Sequence, residues 1–209
     1  MGVPTIDEVD RYGDVIKEMK ARLDAADELL TNRSGEILAI EWAALELRTV
    51  VELIVLGSLV TNREAISKVS SVLKIDGPDK ALKARNTVRK VNPDYWPHPI
   101  TRERVIGPLP QEVPAAWKHH AIEDGFLREN KWCREHGFLS ELLHARHPYE
   151  PRRDYPSDVR RLRDLAQRIR VLLTNHWIVT AGGNYSFAGT WEAGDGRSQA
   201  ALFQPGESH

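Results

Sequence analysis

Residues Ser34–Val60, SGEILAIEWAALELRTVVELIVLGSLV, decide how the rest of the chain is read. Ser34 is placed to cap a helix, and the second half of that helix, Val50–Val60, is apolar nearly all round, as expected for a helix covered on every side. Glu52 and Ser58 interrupt the run, which falls short of the roughly 20 apolar residues a membrane span needs. The stretch is therefore expected to be the central helix of a folded domain, over residues 34–60. Within it, Glu41, Leu45, Arg48 and Glu52 share one face at spacings of four, three and four. Arg48 and Glu52 can pair directly. Such a pair in an apolar helix is either a structural ion pair or part of a polar site in the interior.

On the N-terminal side, Val9, Tyr12, Ile16, Met19, Leu23, Ala26 and Leu30 recur at alternating spacings of three and four, an a/d seam that predicts a helix over 7–31. Beside a second long helix, the seam is expected to pack within the chain, although the same pattern can join two chains. Beyond Val60, Ile66, Val69 and Leu73 mark a helix over 63–75 ended by Gly77-Pro78, and Leu82, Val88 and Val91 mark one over 79–91 ended by Asn92-Pro93.

Six prolines between 93 and 114 exclude helix and predict an extended connection, pinned to the core by Tyr95, Trp96 and Ile100. Helices are expected again over 126–146 and 157–177, with His119 and His120 at a helix entry. In residues 178–209, Tyr185, Phe187 and Trp191 alternate, Gly194-Asp195-Gly196 supplies a turn, and Ala201 and Phe203 alternate on the return, a hairpin over 185–203 with Ile178–Thr180 as a candidate third strand. The expected fold class is mostly α: a single up-and-down helical bundle over residues 1–209 with a small C-terminal antiparallel β-hairpin.

Composition narrows the function classes. Lysine plus arginine total 29 and aspartate plus glutamate 30, so no global field draws the molecule to nucleic acid or an anionic membrane. Cys133 is the only cysteine, which rules out an intrachain disulfide and favours a reducing, cytoplasmic setting; the first ten residues do not read as a signal peptide. Glycine-rich phosphate loops, serine elbows and dinucleotide fingerprints are missing from the sequence. No cofactor is expected.

Charge is biased only locally. Between Arg146 and Arg170 stand eight arginines against Glu150, Asp154, Asp158 and Asp164. On the last predicted helix, Arg160, Arg163, Gln167 and Arg170 form a basic row beside the apolar stripe Leu162, Leu165, Ile169, Leu172 and His176. The guanidinium fork suits phosphate, so Arg160 and Arg163 are candidate phosphate-binding residues and RNA is a candidate partner for segment 146–170. A solvated helix face is the competing reading.

The run from Arg170 to His176, RVLLTNH, resembles the R-x(4-6)-H signature of HEPN-superfamily proteins, helical-bundle ribonucleases and toxins that usually work as dimers. The resemblance implies a metal-independent endoribonuclease, or an RNA-binding toxin or defence protein. Arg170 would stabilise developing phosphate charge, and His176 would move the proton of the 2′-hydroxyl or of the leaving oxygen, in a cleft between two protomers. Val171 follows the arginine, where families with this motif often carry a polar residue. The stretches LRTVVEL (47–53), NPDYWP (92–97) and LLHARHP (142–148) also resemble a group of bacterial proteins of similar length, a resemblance that implies no activity.

Two other classes remain open. Glu141, His144 and His147 at i, i+3 and i+6 supply half of a carboxylate-bridged dimetal site, which Glu41 or Glu52 could extend across the bundle; otherwise His144 serves the dipole at a helix C-terminus. The last class is a non-catalytic protein–protein interaction module whose first-helix seam or terminal hairpin docks a partner.

Overall fold

A computed structural model describes residues 4–69, 80–104, 117–145, 149, 152–191 and 198–203. Helix α1, Ile6–Asn32, begins with a capping box in which the Thr5 hydroxyl accepts from the Glu8 amide and the Glu8 carboxylate accepts from the Thr5 amide at 2.8 Å. Its seam from Tyr12 to Leu30 is buried, with Val9 partly so. The seam faces the chain's own α2, Ile37–Thr61, which the turn at Arg33–Glu36 folds back along α1. Glu36 rather than Ser34 occupies the N-cap, without a side-chain capping bond; its carboxylate pairs with Arg33.

Helix α2 is central, as its apolar second half demands. It touches α1, α3 (Arg63–Val69), α4 (Lys80–Val91), α5 (Trp132–Leu143) and α6 (Tyr155–Leu173). Trp132 shows how one contact is secured: the indole is buried and its Nε1 donates to the Val51 carbonyl at 2.8 Å, fixing α5 to the middle of α2. The expected extension of α3 to residue 75 and its Gly77-Pro78 stop lie outside the described residues, whereas the helix expected to reach 146 ends at Leu143, where His144 turns to extended backbone as the C-cap.

The β structure exceeds the small hairpin expected. Five strands, β1 (His98–Arg104), β2 (Trp117–Ala121), β3 (Asn175–Val179), β4 (Ser186–Thr190) and β5 (Gln199–Phe203), form one antiparallel sheet in the order β2-β1-β3-β4-β5. The fold is therefore mixed, six helices and a five-stranded sheet among the described residues. Proline density predicts only an extended connection over 93–114; its residues 105–114 lie outside the described residues, and the described part holds strand β1. The prolines at 97 and 99 lie at the entry to β1, where the pairing with β3 is short, while proline-free Ile100–Arg104 makes the ladder with β2. His119 and His120 thus lie on a strand, paired with Arg102 and Thr101, and not at a helix entry. The turn at 194–196 lies outside the described residues, but the hairpin it joins, β4 with β5, is present.

Two helix boundaries also differ from the periodicity. Residues 126–131 form a loop and a short 3-10 turn before α5, because Leu127 is drawn into the core and its amide donates to the Arg168 carbonyl at 3.1 Å. Helix α6 ends at Leu173, not 177: Asn175-His-Trp-Ile-Val, rich in β-favouring side chains, continues as β3. A buried amide network closes the far end. Asn62 Oδ1 accepts from the Asn92 side chain (3.0 Å) and the Ala181 amide (2.9 Å), while Asn92 also donates to the Val179 carbonyl at 2.8 Å, joining α2, α4 and the β3 exit.

Candidate functional site

The Arg170 and His176 pair is built into the α1/α6/β3 junction. Alternation along β3 turns His176 inward, where it is 0 % exposed. Its Nδ1 stands 3.0 Å from the Leu173 carbonyl, which can only accept, so Nδ1 carries the proton. Nε2 then accepts from the Tyr12 hydroxyl at 2.6 Å. Burial pushes the imidazolium down to about 4, against a gain from the Leu173 carbonyl, so the ring is neutral at pH 7. Burial likewise raises the Tyr12 phenol, which stays protonated. Both ring nitrogens are committed to the fold.

Arg170 is directed elsewhere. Its Nη2 reaches Asp24 at 3.0 Å and Asp27 at 2.5 Å, both on α1, and the guanidinium lies 6.0 Å from the Trp191 ring centroid. Its charge is already answered by two carboxylates. The sequence run therefore splits into a core histidine on a strand and an ion-paired arginine on a helix; the resemblance needs both at one cleft.

Most of the basic segment is used the same way. Arg153 pairs with Asp158 at 2.6 Å, and Arg161 and Arg168 converge with Arg134 on Glu135 of α5. Glu135 is fully buried. Burial alone would raise its carboxyl, but hydrogen bonds from Arg134 and Arg161 and the charge of Arg168 hold it below the usual range. Among the described residues, only Arg160 and Arg163 of the α6 arginines lack a carboxylate partner; Arg163 donates to the Leu30 carbonyl, and both line a shallow cleft with Ser34, Gly35 and Tyr155.

Arg48 and Glu52 pair at 3.1 Å as their spacing predicts, and His136 of α5 joins them at 3.0 Å to Glu52 Oε1. The group is partly buried at the margin between α2 and α5, not in the bundle interior. Trp132 stacks on His136 with ring centroids 4.9 Å apart. Glu141 and His144 are both exposed, with His144 at the C-cap of α5; His147 lies outside the described residues. Among the described residues, no three His, Cys, Asp or Glu side chains gather as a metal site would require. Cys133 is exposed. No helix among the described residues is long and apolar enough to cross a membrane.

The most unusual surface lies on the first half of α2. Leu38 is 67 % exposed, Trp42 60 %, Ile37 49 % and Leu45 48 %. Leu38, Trp42 and Leu45 stand at i, i+4 and i+7, a second apolar stripe turned away from the buried one formed by Ala39, Ala43 and Leu47. Between α2 and α1 the stripe opens into a groove whose lining includes Leu29, Trp42 and Leu45 together with the charged Glu28, Arg33 and Glu46. Sequence reasoning used α2's apolar excess to bury the helix and missed that its first half holds two stripes. The signal was available: a helix end beside a four-residue turn has fewer neighbours to cover a second face.

No family model, curated protein or solved structure matches this chain.

Proposed function

We propose that this protein is a non-catalytic interaction module that docks a partner through the exposed apolar stripe of α2. The exposure of Leu38, Trp42 and Leu45 on one helix face carries this reading. Contiguous apolar surface of this kind marks interaction sites, whereas singly scattered apolar side chains do not. An aromatic at its centre, flanked by aliphatic side chains beside a groove, has the composition of a binding hot spot. A HEPN-like reaction at Arg170 and His176 would require the imidazole to leave the core and abandon two hydrogen bonds.

The test places a photo-crosslinking phenylalanine analogue at position 42, with the same analogue at exposed polar Arg89 of α4 as control. The docking reading expects a covalent adduct with a second polypeptide from position 42 and none from position 89. Equal yields from the two positions, or none from 42, would remove it.

One observation favours a second reading, anion binding by Arg160 and Arg163, the α6 arginines without carboxylate partners beside the Ser34-Gly35 turn. Single-stranded oligouridylate is the probe. Each lost phosphate contact should flatten the salt dependence of binding by about 0.7 unit in log–log slope on this single-stranded probe. A slope unchanged in Arg160→Ala/Arg163→Ala would set this reading aside.

A further inference from the structure

We infer that the occupant of the α2 stripe is a second copy of this chain, laid antiparallel about a twofold axis. This rests on the docking reading above and names its partner. Leu38, Trp42, Leu45 and Thr49 follow spacings of four, three and four, the seam along which two helices interlock. Thr49 is partly buried and completes the seam. A seam alone does not choose a partner; the charges along its edge do.

Glu41 and Arg48, seven residues apart, lie on the same edge of the seam. Glu41 has no hydrogen-bond or ion-pair partner among the described residues, and Arg48 engages Glu52 through Nε. With Trp42 set against the partner's Leu45, and Leu38 against the partner's Thr49, an antiparallel pair brings like edge against like edge. Glu41 then lies near the partner's Arg48, and symmetry repeats the contact. A parallel pair would instead set Glu41 near the partner's Glu46, like charge against like charge. The edge complements itself in the antiparallel direction alone, which is the property an isologous interface needs.

The stripe spans about 18 Å of helix at 1.5 Å per residue, so the contact belongs to the small, reversible class of interfaces. The direction is tested on the full chain in a Cys133→Ser background, by mixing Leu38→Cys protein with Thr49→Cys protein under mild oxidation. The mixed disulfide should form well above the level of either homodimeric disulfide. Adding Trp42→Glu to both chains should reduce it by on the order of 30-fold or more, the loss expected for a central aromatic anchor, with circular dichroism confirming that the variant is folded. Dominant Leu38→Cys homodimers would overturn the antiparallel arrangement, as would a mixed disulfide indifferent to Trp42→Glu. If no disulfide forms while the position-42 crosslinker still yields an adduct of a mass other than twice the chain, the second copy is wrong and the docking reading stands. If Trp42→Glu fails to fold, Glu41→Arg, which sets arginine against the partner's Arg48, takes its place and should lower the yield about tenfold, the fold-change of roughly 1.4 kcal/mol; an unchanged yield overturns the proposal.

Discussion

The Tyr12 hydroxyl donates a 2.6 Å hydrogen bond to Nε2 of His176, joining the first helix to the third strand across 164 positions of sequence. Phe187 closes the contact with its ring centroid 5.7 Å from that of Tyr12. This bond gives the histidine of the RVLLTNH run a structural role: it satisfies a buried acceptor that would otherwise stand in an apolar core. Tyr12→Phe keeps the shape and removes the donor, and should cost about 1 to 3 kcal/mol, read as a lower urea midpoint. An unchanged midpoint would mean that Nε2 finds another donor.

The same burial makes stability depend on pH. An unfolded His176 titrates near the ordinary 6.5, and the folded one near 4. Between these values the unfolded chain binds the extra proton, so the contribution is fully present above about pH 7 and declines as pH falls toward 4. The loss is about 3 kcal/mol at 1.36 kcal/mol per pKa unit. In His176→Gln this portion of the pH profile should be markedly shallower, with only a remainder from groups such as His119, which burial and the nearby Arg102 also hold down. Urea titrations from pH 7.5 to 4.5 check the slope, and equal slopes in the two proteins would place the imidazole in solvent.

Glu135 acts at lower pH and from the opposite charge. Its carboxyl is held below the usual range, so its stabilisation is present above the unfolded value and is lost as pH falls through the folded one. Glu135→Gln leaves Arg134, Arg161 and Arg168 facing one another without their shared counter-charge. Breaking a buried pair costs about 3 to 5 kcal/mol, and the low end applies because Arg134 and Arg161 reach solvent. Thermal unfolding of the variant measures it; a change below the resolution of the scan would show that the three arginines do not depend on this carboxylate.

Gly189 of β4 lies directly opposite His176, and a Cβ there would stand 2.5 Å from the imidazole ring and 2.7 Å from Ile16 Cδ1. Neither neighbour can retreat, since both are fully buried. Gly189→Ala should therefore destabilise by about 1 to 3 kcal/mol through overpacking, whereas Gly137→Ala, with open space around it, should not. Parallel thermal scans of the two variants compare them directly.

The helices were legible because their burial follows one period. The α1 seam and the apolar half of α2 each read correctly from spacing, and Asn92-Pro93 marked the end of α4 within a residue. The sheet was legible at its C-terminal hairpin and in part at β3, whose last two residues the candidate third strand Ile178–Thr180 overlaps. Strand β1 hid among prolines, and the start of β3 hid at the end of α6 because Leu172 and His176, four apart, are buried on either side of a helix–strand junction and imitate a continuing helical stripe. The candidate site was harder still. Arg170 and His176 are close in sequence, but what they touch, Asp24, Asp27 and Tyr12, lies roughly 150 residues away, and no local pattern encodes those partners. Arg48 and Glu52 were readable as a pair from their spacing, whereas His136, their third member, was not.

If the α2 stripe serves association and the Tyr12–His176 contact serves folding, substitutions in the stripe leave the fold intact. Trp42→Ser, measured for both thermal stability and sedimentation against wild type, separates the two most directly. Stability should change by no more than about 0.5 kcal/mol, as for other surface substitutions, while the self-association proposed for the wild type should be lost. A variant that unfolds readily, or one that sediments as wild type does, would contradict this division of roles.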